Sequence, residues 1–249
     1  MKTSIKHIFI GFIQGLTEFL PVSSSGHIVL FGSMFSLDNL MLISIVAHIG
    51  TLFAVLFCYR NKIIELIKHP KNPTNLNLIL ATIPAVVIVL IFNEKVESLF
   101  SIKSLTWGFI ISAFLLLIAD FKPNKNKYIN KRASFIMGIA QGLAILPGIS
   151  RSGATLTCGL LCNRNKKETL DFSFLMSIPI ILASAVYESF NLFSSQINIE
   201  WGNIFLVMIS SFIFGILSIK LMLKIVKNNK LYYFSIYMVV LSLLIVFLF

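Results

Sequence analysis

The stretch LMLISIVAHIGTLFAVLFCY, Leu40–Tyr59, runs for twenty residues without an Asp, Glu, Lys or Arg. A helix rises about 1.5 Å per residue, so this length covers about 30 Å, the thickness of the hydrocarbon core of a bilayer. Working outward, five more apolar runs reach spanning length: Leu76–Phe92, Ser101–Ala119, Phe172–Leu192, Ile204–Val226 and Leu231–Phe249. Of the 249 residues, 57% are hydrophobic and 12% charged. A soluble domain carries about 25% charged residues, so this chain needs a solvent that accepts apolar surface. The expected fold class is an all-α polytopic membrane protein, residues 1–249 forming a single membrane domain.

The net charge of +11 does not point to nucleic acid, because the basic residues flank the apolar runs. Arg60–Lys71 holds four, Lys122–Arg132 five, Arg164–Lys167 three and Lys220–Lys230 four, which is 16 of the 21 Lys and Arg. The connection Asn93–Lys103 has two, offset by Glu94 and Glu97, and Phe193–Asn203 has none. The positive-inside rule puts the first group in the cytoplasm and the second outside, alternating without conflict. The apolar N-terminal stretch Ile8–Leu20 is broken by Gln14 and Glu18 and is followed by no small-residue cleavage site, so it reads as part of the mature protein. Cys58, Cys158 and Cys162 form no CxxC pair and say nothing of redox compartment.

Residues 5–39 and 133–162 remain. Both are apolar but interrupted by Pro, Gly and Ser, and the topology requires each to enter and return as a re-entrant hairpin. Non-helical backbone at that depth is tolerated only inside protein or beside a wet cavity. The two are related at an offset of 127 residues: Gly11, Gln14, Gly15, Leu16, Ser23, Ser25 and Gly26 match Gly138, Gln141, Gly142, Leu143, Ser150, Ser152 and Gly153. Three spans separate the copies, so residues 1–119 and 133–249 are expected to form an inverted-topology repeat with both hairpins facing one site.

The hairpins carry the chemistry. Gln14 and Glu18 are four apart and share a helix face. Ser23, Ser24, Ser25, Gly26 and His27 follow within ten residues of Glu18. An ionisable group in such a run is a functional candidate. In the second hairpin Arg151 stands at the repeat position of Ser24. Its guanidinium needs an anionic partner, either Glu18 or a phosphate, to which its planar fork is suited. Ser150, Ser152 and Thr155 add hydroxyls, and Gly148 and Gly153 allow backbone N–H groups to approach an anion. His48 is read as packing against the site, and Glu188 as lying near an interface.

QGLTEFLPVSSSGH (14–27) and PGISRSGAT (147–155) resemble the two signature motifs of the undecaprenyl-diphosphate phosphatases, also called bacitracin-resistance proteins. AHIGTLFAV (47–55), TIPAV (82–86) and FSFLMSIP (172–179) are similar too, so the resemblance covers most of the chain. It departs at Gln14, where many members have Glu. The resemblance implies hydrolysis of undecaprenyl diphosphate to the monophosphate and inorganic phosphate in the bacterial plasma membrane, with the site toward the outer side. It implies Ser24 as nucleophile, with direct attack by water or His27 as alternatives. Glu18 and His27 would handle protons, Arg151 would clamp the diphosphate, and Gln14, Ser23, Ser25, Gly26, Gln141, Gly148, Ser150, Ser152, Gly153 and Thr155 would bind it. A diphosphate admits a divalent cation (Mg or Ca), with Glu18 its candidate ligand. Homodimerisation is left open. The rival readings are a transporter or flippase of undecaprenyl phosphate or another anion, suggested by the repeat, and a non-catalytic protein of an envelope complex.

Overall fold

The computed structural model describes residues 3–35, 37, 39–97, 101–121, 127–193, 200–227 and 230–248. Every regular element among them is a helix: α1 Thr3–Phe19, α2 Ser24–Phe35, α3 Leu40–Cys58, α4 Arg60–Lys68, α5 Pro73–Glu97, α6 Ile102–Asp120, α7 Lys131–Leu143, α8 Arg151–Leu161, α9 Lys166–Phe193, α10 Trp201–Lys227 and α11 Tyr232–Leu248. Five of these, α3, α5, α6, α9 and α10, are long and apolar enough to cross a membrane. The sixth expected span is α11, an apolar helix of 17 residues at the lower end of what crosses a bilayer. Phe249 lies outside the described residues, as do parts of the connections 93–103, 122–132, 193–203 and 220–230.

The cytoplasmic connection expected after Tyr59 is itself largely helical. Tyr59 leaves helical geometry at φ −103° and ψ 13°, and α4 follows at once. Its sequence RNKIIELIK is rich in good helix formers, and Leu66 is buried while Ile64 and Ile67 are exposed. Counting charges registers such a segment as a loop and misses its periodicity. At this end the Tyr59 hydroxyl donates to Asp171 Oδ1 at 2.7 Å, and Lys62 Nζ lies 3.9 Å from Oδ2. Burial, and then the neighbouring carboxylate, push the Tyr59 phenol up.

Large apolar side chains cover the outside of the bundle, among them Ile79, Ile83, Val87 and Leu90 on α5, Phe114 on α6, and Leu243 and Leu244 on α11. A continuous apolar exterior on this scale is expected only against lipid.

Inside, α1 packs along α10, and α7 along α5. Glycines permit both contacts. A Cβ on Gly11 would fall 2.5 Å from the Val207 carbonyl oxygen, and one on Gly15 2.6 Å from that of Ser211. Likewise a Cβ on Gly138 would meet the Ala81 oxygen at 2.2 Å, and one on Gly142 would meet Ile88 at 2.8 Å. These two Gly-x-x-x-Gly pairs let backbones approach as small residues do throughout membrane helix packing. Ser210 Oγ donates to Ile8 O (2.8 Å) and Ser218 Oγ to Leu16 O (2.7 Å), adding polar links between α10 and α1. Gly15→Val is therefore expected to force α1 from α10. It should cost more stability than the ~1–3 kcal/mol typical of core overpacking, because the obstacle is backbone, and the loss is read as a lower thermal unfolding midpoint in detergent.

Candidate active site

Helix α1 ends at Phe19, and residues 20–23 turn the chain into α2, with Val22 N donating to Leu20 O at 2.8 Å. Ser23 has φ 66°, the left-handed region that L side chains seldom occupy. That conformation brings Ser24, the first residue of α2, back over the end of α1. The matching turn between α7 and α8 contains Gly148 at φ 79°. A Cβ there would lie 2.4 Å from Leu105 O, so both conformation and space require glycine. Ser150 then caps α8, its Oγ accepting from Gly153 N at 3.2 Å.

The two turns meet. Ser152 Oγ donates to Leu20 O (3.1 Å), and an added Cβ on Gly153 would touch the Pro21 ring at 3.3 Å. Ser112 of α6 supports the second turn, receiving Ser150 N at 2.8 Å and donating to Gly148 O at 3.3 Å.

Glu18 occupies the junction with its side chain 3% exposed. Its Oε1 is paired with Arg151 Nη2. Its Oε2 accepts from Ser24 Oγ (2.6 Å) and Gln14 Nε2 (3.0 Å), and His48 Nε2 stands 3.8 Å away. Four elements thus send a hydroxyl, an amide, a guanidinium and an imidazole to one carboxylate. Removing either member of a buried ion pair leaves the other uncompensated, at a cost of about 3–5 kcal/mol. The pair therefore also joins the two hairpins.

Several sequence candidates lie elsewhere. His27 is 1% exposed, between Phe109, Phe31 and the Tyr237 ring. Its Nδ1 donates to Ser23 O at 2.8 Å, so Nε2 accepts the Tyr237 hydroxyl at 2.6 Å. The imidazole thus braces the Ser23 turn and makes no hydrogen bond to the Glu18 cluster. Gln141 is buried on α7, donating to Met176 O at 3.2 Å. Thr155 faces α9, where its hydroxyl meets Ser173 Oγ at 2.6 Å. Ser25 lies beside Ser23, 3.5 Å between hydroxyls, and Gly26 packs on Phe109. Ser112, Ser173 and Tyr237 were not evident as site-supporting residues, because single hydroxyls in apolar spans carry no pattern.

Glu18 makes a poor resident metal ligand, since Arg151, Ser24 and Gln14 already use both its oxygens. Among the described residues no group of three or more His, Cys, Asp or Glu could hold a metal ion.

A multi-helix membrane protein that gathers a serine, a buried carboxylate and a guanidinium at one junction has the groups with which enzymes or carriers handle phosphorylated compounds. Comparison with known proteins narrows this. Residues 7–244 match the model of the family described as bacitracin resistance protein BacA, and the chain belongs to that family. The undecaprenyl-diphosphatase of Borrelia recurrentis (strain A1) is 36% identical over the whole of both chains. That of Carboxydothermus hydrogenoformans is 37% identical, covering 98% of this chain and 97% of its own. Undecaprenyl-diphosphatase 4 of Bacillus thuringiensis subsp. konkukian is 35% identical, covering 97% and 95%.

Proposed function

We infer that this protein is a membrane phosphatase that hydrolyses undecaprenyl diphosphate to undecaprenyl phosphate and inorganic phosphate. The activity recycles the carrier for cell-wall synthesis and lowers sensitivity to bacitracin. Family membership and full-length similarity to undecaprenyl-diphosphatases support the activity. The observation that carries the site is the Glu18 carboxylate held between Ser24 and Arg151.

Ser24 is the nucleophile in this reading. A serine hydroxyl attacks only when a base removes its proton, and Glu18 Oε2 at 2.6 Å is that base. Phosphoryl transfer depends chiefly on positioning and on neutralising charge over the oxygens. Arg151 supplies that charge, exchanging Glu18 for the terminal phosphate as the substrate enters. The first turns of α2 and α8 start at the same junction, and their N-terminal dipoles favour an anion there. Ser23, Ser150, Ser152 and Gly153 form its walls. A divalent cation, Mg or Ca, comes with the diphosphate that chelates it.

The two hairpins are re-entrant in this reading. With 17 and 12 residues in the first, and 13 and 11 in the second, their helices are shorter than most spans. A shift of 127 residues lays α1 on α7, α2 on α8, α3 on α9, α5 on α10 and α6 on α11. The same exchange turns the α1–α10 contact into the α7–α5 contact and leaves the α6–α11 and α3–α9 contacts as they are. This supports an inverted repeat, residues 1–119 and 133–249. In this reading the Ser24 hairpin lies at the outer face of the plasma membrane, which the distribution of basic connections supports.

The test is phosphate release from a polyprenyl diphosphate by purified protein in detergent. Release that depends on the protein is expected, with no metal ion co-purifying. Absence of release with and without Mg or Ca overturns the reading and leaves transport of a lipid phosphate as the leading alternative.

A further inference from the structure

We propose that His48, on α3, is the group that carries the catalytic proton to and from Glu18. The proposal rests on Glu18 and Ser24 forming the active site.

Two geometric observations point to His48. Its Nδ1 donates to the Ser44 carbonyl at 2.8 Å, which fixes the neutral tautomer and leaves the Nε2 lone pair free. That Nε2 is directed at Glu18, 3.8 Å from the same Oε2 that receives the Ser24 hydroxyl. At rest no proton lies between these two acceptors; once Glu18 is protonated it becomes the donor that faces this nitrogen, and catalytic contacts that are long in the empty enzyme often tighten around substrate. His27 offers no such atom, since Ser23 and Tyr237 engage both its nitrogens.

The site also has a use for a second base. With Arg151 turned to the phosphate, a Glu18 that has accepted the serine proton is a neutral acid, and it must shed that proton before it can pair with Arg151 again. Passing the proton on restores the carboxylate. Glu18 is sealed, with 3% of its side chain exposed, whereas His48 is 30% exposed. The charged group beside this ring is Glu18 of α1, itself paired with Arg151 of α8. Of the other helices packed on α3, α10 carries Lys220, Lys224 and Lys227 towards its C-terminal end; on α9, Asp171 is held by Tyr59 and by Lys62 of α4, Glu168 accepts from Ile129 N, Glu188 accepts from Ser184 Oγ, and Lys166 and Lys167 stand at the helix start.

The steps balance as follows. Ser24 Oγ bonds to the terminal phosphorus, the bond from phosphorus to the bridging oxygen breaks, and the lipid monophosphate leaves with that electron pair. The serine proton moves to Glu18 Oε2 and on to His48 Nε2, which yields it to the departing phosphate or to water. Water then attacks phospho-Ser24, giving a proton to the Glu18–His48 pair. The pair returns that proton to Ser24 Oγ as the phosphorus–Oγ bond breaks and inorganic phosphate departs.

The experiment compares wild type, His48→Gln, His48→Ala and Ser24→Ala as purified proteins on a polyprenyl diphosphate across pH, with thermal midpoints recorded. His48→Gln is expected to melt like wild type, keep KM, lose about 10²-fold in kcat and lose the rise of kcat with pH on the acid side. Added imidazole is expected to restore part of the activity of His48→Ala. His48→Gln with the kcat and pH profile of wild type overturns the proposal and makes His48 a packing residue; this variant decides if His48→Ala does not fold. An active Ser24→Ala overturns the site reading itself, whereas a dead Ser24→Ala beside an unaltered His48→Gln overturns only the role of His48.

Discussion

Ser24→Ala is expected to fold and bind substrate like wild type, and to lose at least about 10³-fold in kcat. The side chain is small and at a helix start, so its removal opens little space. What it takes away is the attacking oxygen and one donor to Glu18, whose ion pair with Arg151 remains. The loss should therefore fall on kcat, with KM and the thermal midpoint nearly unchanged. Steady-state phosphate release and a melting curve on the same preparation check this. Release at the wild-type rate would mean that water attacks phosphorus directly and that the hydroxyl only positions Glu18.

Arg151→Ala should be the more damaging change because it acts twice. An arginine that neutralises the transferred phosphoryl group is worth about 10³–10⁵ in kcat in other phosphoryl-transfer enzymes. Here the same guanidinium also compensates a buried carboxylate, so its loss leaves Glu18 without its counter-ion, at about 3–5 kcal/mol. Both activity and thermal midpoint are expected to fall. Adding Glu18→Gln to Arg151→Ala separates the effects: the midpoint should recover, since no uncompensated charge remains, while activity stays lost. Arg151→Lys is expected to hold the midpoint better than its activity, because an ammonium cannot present the planar fork that grips phosphate. A midpoint untouched by Arg151→Ala would show that the hairpins are joined by packing and not by charge.

The site was legible in the sequence to the extent that its chemistry was local. Gln14, Glu18 and Ser24 lie within eleven residues, and their charge and polarity stand out from an apolar run. The 127-residue register brought Arg151 opposite them without any coordinates. The two histidines show where such reasoning ends. His27 was conspicuous by proximity in sequence, yet one turn of helix carries its ring among Phe109, Phe31 and Tyr237, with both nitrogens engaged by Ser23 and Tyr237. His48 looked like packing because its own span has no Asp, Glu, Lys or Arg; its nearness to Glu18 arises only from where α3 lies against α1. The glycines behaved similarly. Gly11, Gly15, Gly138 and Gly142 appeared as repeat markers, but that they admit α10 and α5 is a matter of helix pairing. Among the helices, α4 was hidden by its charge, since basic flanks of spans and short amphipathic helices share a composition.

The Glu18–Arg151 bond joins residues 133 apart, and the Ser210–Ile8 link joins residues 202 apart. A ribosome adds roughly 5–20 residues each second. After the N-terminal hairpin emerges, several seconds of synthesis pass before its cation exists, and longer before α10 can embrace α1. Through that interval Glu18 has no Arg151 to pair with. An interrupted chain would never complete the catalytic set, so activity here requires synthesis through both hairpins.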